Sequence, residues 1–317
     1  METLRPRSIA HADWGTDGPK RAVASAELEG DGYLAHTPEV VASEGSLLDR
    51  MGVGSATGGA LLGFDFPIGL PRAFADRVGC SRFSEWFRAL DPAGEFFQVA
   101  NTIEDASLTR PFFPVNIRTK SPGIKARWRS VLGLTREELL RACDWSHGNR
   151  RAASEMFWTL GPAAVGKATV NGWRTAIRPA LAESDRSYAI WPFDGTLADL
   201  LAANDAVIVE TYPAEAYGLL GLRMGSPGTK KTSQASRRAE ASRLLQWCAE
   251  HNVEPDRPLQ RDIEDGFGPR KSGEDPFDAV AGLFGMIDTL SLGGEPPLPS
   301  AHAVREIEGW MFGRRAE

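Results

Sequence analysis

Cysteine is scarce: the 317 residues contain three, Cys80, Cys143 and Cys248, far apart and forming no CxxC pair. That excludes a disulfide framework and a cysteine-based zinc site, and it fits reduced thiols in a cytoplasmic setting. The five histidines make no HxxxH or HExxH, so zinc hydrolase chemistry is not indicated. No run approaches the roughly 18 apolar residues of a membrane-spanning helix. The basic start, Met1–Arg7, leads into no apolar signal-peptide region, so no membrane association is expected. The absence of GxSxG removes the nucleophile elbow of the serine hydrolases. No internal repeat or low-complexity tract is present, and no obligate protein partner is expected.

What is there suits an ordinary globular protein. With 42% hydrophobic residues and 33 glycines, a chain of this length buries a sizeable core without disulfide or metal staples. Its formal charge of −6 argues against coating nucleic acid over the whole surface. The positive charge is segregated, however. Arg118–Arg151 holds nine basic against three acidic residues, and Arg223–Arg243 holds six against one. Such runs are either solvated helix faces or places where an anionic substrate is held.

The pattern along the chain predicts an α/β protein. Ser8–Asp13 and Arg21–Leu28 read as strands joined by turn chemistry at Gly15–Lys20, a hairpin with Asp13 at the end of its first strand. Tyr33–Ala35 adds a short strand, Glu44–Met51 reads as helix, and Gly59–Phe66 reads as a buried strand stopped by Pro67, with Asp65 at its end. From about residue 72 to 188 the texture changes to arginines, prolines, tryptophans and short helical patterns such as Thr135–Cys143. This predicts a large, mainly helical insertion between a first core half, residues 1–71, and a second, residues 189–317. The core pattern resumes at Ile190–Phe193. A helix near Leu197–Ala203, a strand at Ala206–Thr211 carrying Glu210, and helices at Ala214–Leu220 and Ser233–His251 follow. The clearest helix is Asp275–Leu290, where Phe277, Val280, Phe284 and Ile287 share a face. Asp275 and Asp278, three apart, project near one another from its first turns.

Carboxylates therefore stand where strands end or a helix begins: Asp13, Asp65, Glu210 and the Asp275/Asp278 pair. Strand ends are where open α/β sheets form ligand sites. Gathered acids repel unless a cation neutralises them, and hard oxygen ligands select Mg²⁺ or Mn²⁺. Two such ions stabilise both the attacking and the leaving oxygen of a phosphodiester displacement. Taken singly, each acid is equally a helix cap or an ion-pair partner. His11 shares a strand face with Asp13 and reads as core. Trp128, Trp145, Trp158 and Trp173 either fill a core or stack bases.

The succession of a strand ending in Asp13, a hairpin, GFDFPIGLP at Gly63–Pro71, VIVETYPAEAY at Val207–Tyr217 and DPFDAVAGLFGM at Asp275–Met286 resembles the RNase H-like fold. Within it, the match is to an uncharacterised family of predicted RNase H-like nucleases, whose middle section Arg151–Trp173 and Ile190–Leu197 also resemble. DPFDAVAGLF is similar to the last-helix pattern of RuvC-type resolvases, which usually carry a glutamate where this chain has Asp65. The resemblance implies an RNase H-like mixed sheet with flanking helices, with Asp13, Asp65, Asp275 and Asp278 holding Mg²⁺ or Mn²⁺. On that reading Asp13, Asp65, Asp278 and Glu210 are the expected catalytic residues on a nucleic acid substrate, and the basic runs supply Arg127, Arg150, Lys230 and Lys231 to position its backbone. Asp13-Trp14-Gly15-Thr16 also resembles the first phosphate-binding turn of the sugar kinase and actin-like superfamily. An ATP-dependent phosphotransferase is therefore an alternative, and an inactive nucleic-acid-binding protein is another. GSPGTKKT at Gly225–Thr232 lacks P-loop spacing, and GVGSATGG at Gly52–Gly59 precedes a strand rather than following one.

Overall fold

Alanines at positions 10, 12, 22, 24 and 26 keep the first two strands thin, so that helices pack close against them. The computed structural model describes residues 4–16, 18–41, 51, 59–116, 122–147, 151–161, 164–183, 185–269 and 273–315. Its strands are β1 (Ser8–Asp13), β2 (Ala22–Glu29), β3 (Gly32–Ala35), β4 (Glu39–Val40), β5 (Ala60–Phe64), β6 (Tyr188–Ile190), β7 (Ala206–Glu210) and β8 (Val253–Pro255). They form one mixed eight-stranded sheet in the order β6-β7-β5-β1-β2-β3-β8, with β4 also on β2. β1, β2 and β3 make an antiparallel meander. β5, β7 and β6 extend it in parallel from the other edge of β1, and β8 joins β3 in parallel.

The helices follow the chain as α1 (Arg72–Arg77), α2 (Phe83–Ala89), α3 (Ile124–Leu132), α4 (Gly166–Gly172), α5 (Arg178–Ala182), α6 (Leu197–Ala203), α7 (Pro213–Leu219), α8 (Gln234–Ala239), α9 (Ala241–Glu250), α10 (Arg257–Asp265) and α11 (Glu274–Ser291). Strand alternation gives the sheet two apolar faces. Ala10, Ala12, Leu62, Phe64 and Ile208 pack with Phe74, Phe83, Trp128 and Trp173 of the 72–188 segment. Ile9, Leu61, Val207 and Val209 pack with α11 and α9 residues such as Leu283, Phe284 and Trp247. α11 reaches the sheet closely because it has glycine where bulk would collide. A Cβ on Gly282 would stand 2.2 Å from the buried His11 ring, and one on Gly63 of β5 would stand 2.5 Å from Met286. His11 Nδ1 lies 3.1 Å from the Ala279 carbonyl oxygen. The ring is kept neutral because burial lowers its pKa to about 3.

Several expectations need correction. Thr135–Cys143 is not one helix but two 3-10 turns, Glu137–Leu139 and Ala142–Asp144. Ser233–His251 is broken at Glu240 into α8 and α9. β4, β8 and α10 were not foreseen. The expected helix Glu44–Met51 lies outside the described residues except for Met51. Trp128, Trp158 and Trp173 are core residues, whereas Trp145 is exposed. The three cysteines are free and buried. Among the described residues no helix is long and apolar enough to cross a membrane.

Candidate functional site

Strand register assembles the site. Ala12 of β1 pairs with Phe64 of β5, so Asp13 and Asp65, one residue on, stand side by side. The Asp65 N–H donates to the Ala12 carbonyl at 3.4 Å. Both acids have the parity of His11 and Gly63, the positions that meet α11. α11 arrives at that face with Glu274 and Asp275 in its first turn and Asp278 one turn further, where the positive end of the helix favours acids. Three separate elements thus bring Asp13, Asp65, Asp275 and Asp278 into one electrostatic neighbourhood.

The hydrogen bonds show how so many acids coexist. The Trp14 backbone N–H donates to Asp65 Oδ1 at 2.7 Å, and Asp13 and Asp65 are hydrogen-bonded to each other. Burial, then the charges of Asp65, Asp278 and Asp275, holds the Asp13 carboxyl well above the usual range. Both carboxyls are raised, and a proton shared between them relieves their repulsion. Burial raises Asp65 to about 6, against the pull of the Asp13 and Trp14 hydrogen bonds. Burial, with Glu274 and Asp278, raises Asp275 to about 6. Asp278 is only 2% exposed. The Tyr217 hydroxyl of α7 donates to its Oδ1, and the Lys231 ammonium donates to its Oδ2.

Lys231 is thus a built-in cation rather than part of a plain basic loop. Burial opposes its charge, but Asp278 and Asp13 outweigh that and hold its pKa above the ordinary lysine value. The Lys231 side chain remains about half exposed (48%). Its backbone is fastened by the buried Arg237, which donates to the Lys231 carbonyl and also to Gly266 and Gly268 carbonyls at 2.9 Å each. Lys20 adds positive charge near Asp275. Sequence reasoning missed Glu274, Tyr217, Arg237 and Lys20 altogether.

Glu210 does not join this cluster, correcting its expected catalytic role. It pairs with Phe64, not with Asp65, and has the parity of Ala206 and Ile208, which face the 72–188 segment. There the fully buried Arg141 grips it by a two-pronged ion pair, 2.6 Å on each oxygen, while the Ile68 N–H donates at 2.6 Å. Arg141 also binds Asp144 at 3.0 Å. Glu210 is a structural counter-ion on the opposite face of the sheet. The expected backbone-positioning residues are dispersed. Lys230 is exposed, Arg127 on α3 faces Glu104 at 3.7 Å on the surface, and Arg150 lies outside the described residues.

The acids fit a hard divalent cation in chemistry, being oxygen donors throughout, and Glu274 Oε2 is buried without a hydrogen-bond partner among the described residues. Their arrangement as it stands is different. Among the described residues no group of three or more His, Cys, Asp or Glu side chains is set to hold a metal ion. A proton between Asp13 and Asp65 and the Lys231 ammonium on Asp278 balance the charge instead. Compared with models of protein families, with curated proteins and with solved structures, the chain shows no significant match in any of the three.

Proposed function

We propose that the acidic cluster is the hydrolytic centre of an RNase H-like phosphodiesterase acting on nucleic acid. One observation carries the reading: Asp13 and Asp65 stand adjacent on parallel strands, on the sheet face that receives Asp275 and Asp278 from the start of α11. The antiparallel meander continued by parallel strands β5 and β7 supports an RNase H-like core. Mg²⁺ or Mn²⁺ is the cofactor this donor set suits; Asp13, Asp65, Asp275 and Asp278 would hold it, with Lys231 displaced from Asp278. When bound, such an ion supplies positive charge for the oxygens of the displacement and lowers the pKa of water.

The chain's own residues do the remaining work. Asp65, its carboxyl raised to about 6 by burial, and Asp13, raised by burial and its acidic neighbours, are the carboxylates whose repulsion a divalent cation would relieve. The Trp14 N–H fixes its orientation, and Tyr217 fixes that of Asp278. Lys231, released toward solvent, offers its ammonium to a phosphate oxygen.

Mn²⁺ titration calorimetry on the wild type and on Asp13→Asn/Asp278→Asn, run beside an oligonucleotide cleavage assay, tests the proposal. Saturable binding and cleavage that both vanish in the double variant are expected. Cleavage that survives in the folded double variant overturns the assignment.

A further inference from the structure

On the insertion side of the Asp13 turn lies a cavity of about 370 Å³. We propose that it is a phosphate subsite, which holds the phosphodiester strand across the end of the sheet from the bond cleaved at the acidic cluster. This rests on the hydrolytic reading above and extends it to substrate positioning.

Charge is the first argument. Lys167 and Arg174 line the cavity together with Thr16, Gln98 and Asn171, and no acidic side chain lines it among the described residues. Three other cavities carry acids: Glu39 and Asp256 in one, Glu240, Glu250 and Asp288 in another, Asp31 and Glu250 in a third. Lys167 and Arg174 have no ion pair among the described residues, unlike Arg127 and Arg129, which face glutamates. Two cations without an acidic partner among the described residues, in a cavity lined otherwise by hydroxyl, amide and apolar groups, suit an anion.

Spacing is the second. Lys167 and Arg174 are seven residues apart on a continuous helical path, α4 followed by the π-helical turn Trp173–Ile177. Two helical turns put both on one side, about 10 Å apart along the axis. That separation lets the two side chains meet different phosphates of one strand. The path is rigidly seated. A Cβ on Gly166 would stand 2.6 Å from the Trp158 carbonyl oxygen, and one on Gly172 would stand 2.2 Å from the Phe66 ring.

Continuity with the acids is the third. Thr16 is three residues beyond Asp13, and Trp14 lies between them with its backbone on Asp65. The Trp14 indole N–H donates to Asn171 Oδ1 at 3.0 Å, and Arg21 donates to the same oxygen at 3.1 Å. Arg21 also lies 4.5 Å over the Trp14 ring and donates to the Gly15 carbonyl at 2.7 Å. One clamped turn therefore carries a cleavage-site acid at one end and a cavity wall at the other. A strand whose scissile phosphate sits at Asp13 and Asp65 has its next phosphates led past Thr16 toward Lys167 and Arg174.

The test is fluorescence anisotropy of labelled single-stranded oligothymidylate and oligouridylate, in an Asp13→Asn background and with a salt series. Adding Lys167→Ala/Arg174→Ala is expected to weaken binding at least tenfold and to flatten the dependence of log affinity on log salt by about 1.4, two phosphate contacts at ~0.7 each. Arg257→Ala, remote on α10, is the control and keeps the parent's slope. An unchanged slope in the double variant, or no binding of either oligonucleotide by the parent, overturns the subsite. So does a dependence on Lys167 and Arg174 seen for ATP and not for the oligonucleotides, which points instead to a nucleotide site. Failure of the hydrolytic reading is separable, because it shows as an absence of cleavage by wild type while this slope is unaffected.

Discussion

Asp65→Asn should make the protein more stable, and by an amount that depends on pH. In the fold Asp65 protonates at about 6 instead of its ordinary 3.8. Because the folded value is raised, the folded state favours the protonated acid, and stability is lost as pH rises from about 4 through 6. At pH 8 the ionised carboxylate costs the fold about 3 kcal/mol relative to a neutral group of the same shape. Asparagine keeps an oxygen for the Trp14 N–H and removes the charge. With an unfolding entropy of about 2.1 cal/mol/K per residue over 317 residues, 3 kcal/mol corresponds to a Tm rise of about 4–5 °C. At pH 4, where Asp65 is already protonated in the fold, the gain should nearly vanish. Scanning calorimetry of both proteins at the two pH values decides the matter. An equal shift at pH 4 and pH 8, or a loss at pH 8, refutes the account in which burial penalises the Asp65 charge.

Arg141→Ala leaves Glu210 and Asp144 buried without their cation and should cost about 3–5 kcal/mol in urea unfolding; adding Glu210→Gln should recover part of that loss. Gly282→Ala drives a methyl into the His11 ring and should cost about 1–3 kcal/mol, a penalty that shrinks in the His11→Ala background of a double-mutant cycle. His11, lowered to about 3 by burial, contributes stability that is complete above 6.5 and is lost as pH falls toward 3, because the unfolded chain takes the proton first. His11→Gln should therefore flatten the acid limb of the stability–pH curve, measured as urea midpoints between pH 6.5 and 4. Lys231→Met removes the cation from Asp278 and should lower Tm at pH 8 more than at pH 5, where the neighbouring acids take up protons.

Asp13, Asp65 and the α11 acids were legible as strand-end and helix-start carboxylates because alternation and helical period mark those places. Glu210 was equally visible as a strand-end acid, and its parity with Ala206 and Ile208 could be read. Which parity faces α11 could not: it is fixed by Phe64 pairing with Glu210, a long-range register that local pattern does not encode. Lys231 read as one of two adjacent lysines, and only the packing of its loop against Arg237 separates it from Lys230. Tyr217 sits in a recognised helix, but its role depends on where α7 meets α11. The β8–α10 pair was overlooked although a signal existed. Asp256 followed by Pro258 marks a helix start, and the Asp256 carboxylate accepts from the Leu259 N–H at 2.7 Å. β8 itself is three residues long and too short to show alternation.

Arg141 has one further consequence. Besides Asp144 and Glu210, its guanidinium reaches the Ile68 and Glu308 carbonyls, at 3.2 Å each, so a residue of the 72–188 segment knots strand β7, the stretch after β5 and a distant C-terminal turn. Excising that segment by gene surgery would strip the sheet of its counter-ion and leave a bare glutamate inside. A protease nick in one of its loops, by contrast, should yield two fragments that migrate together on a native gel and part only in denaturant.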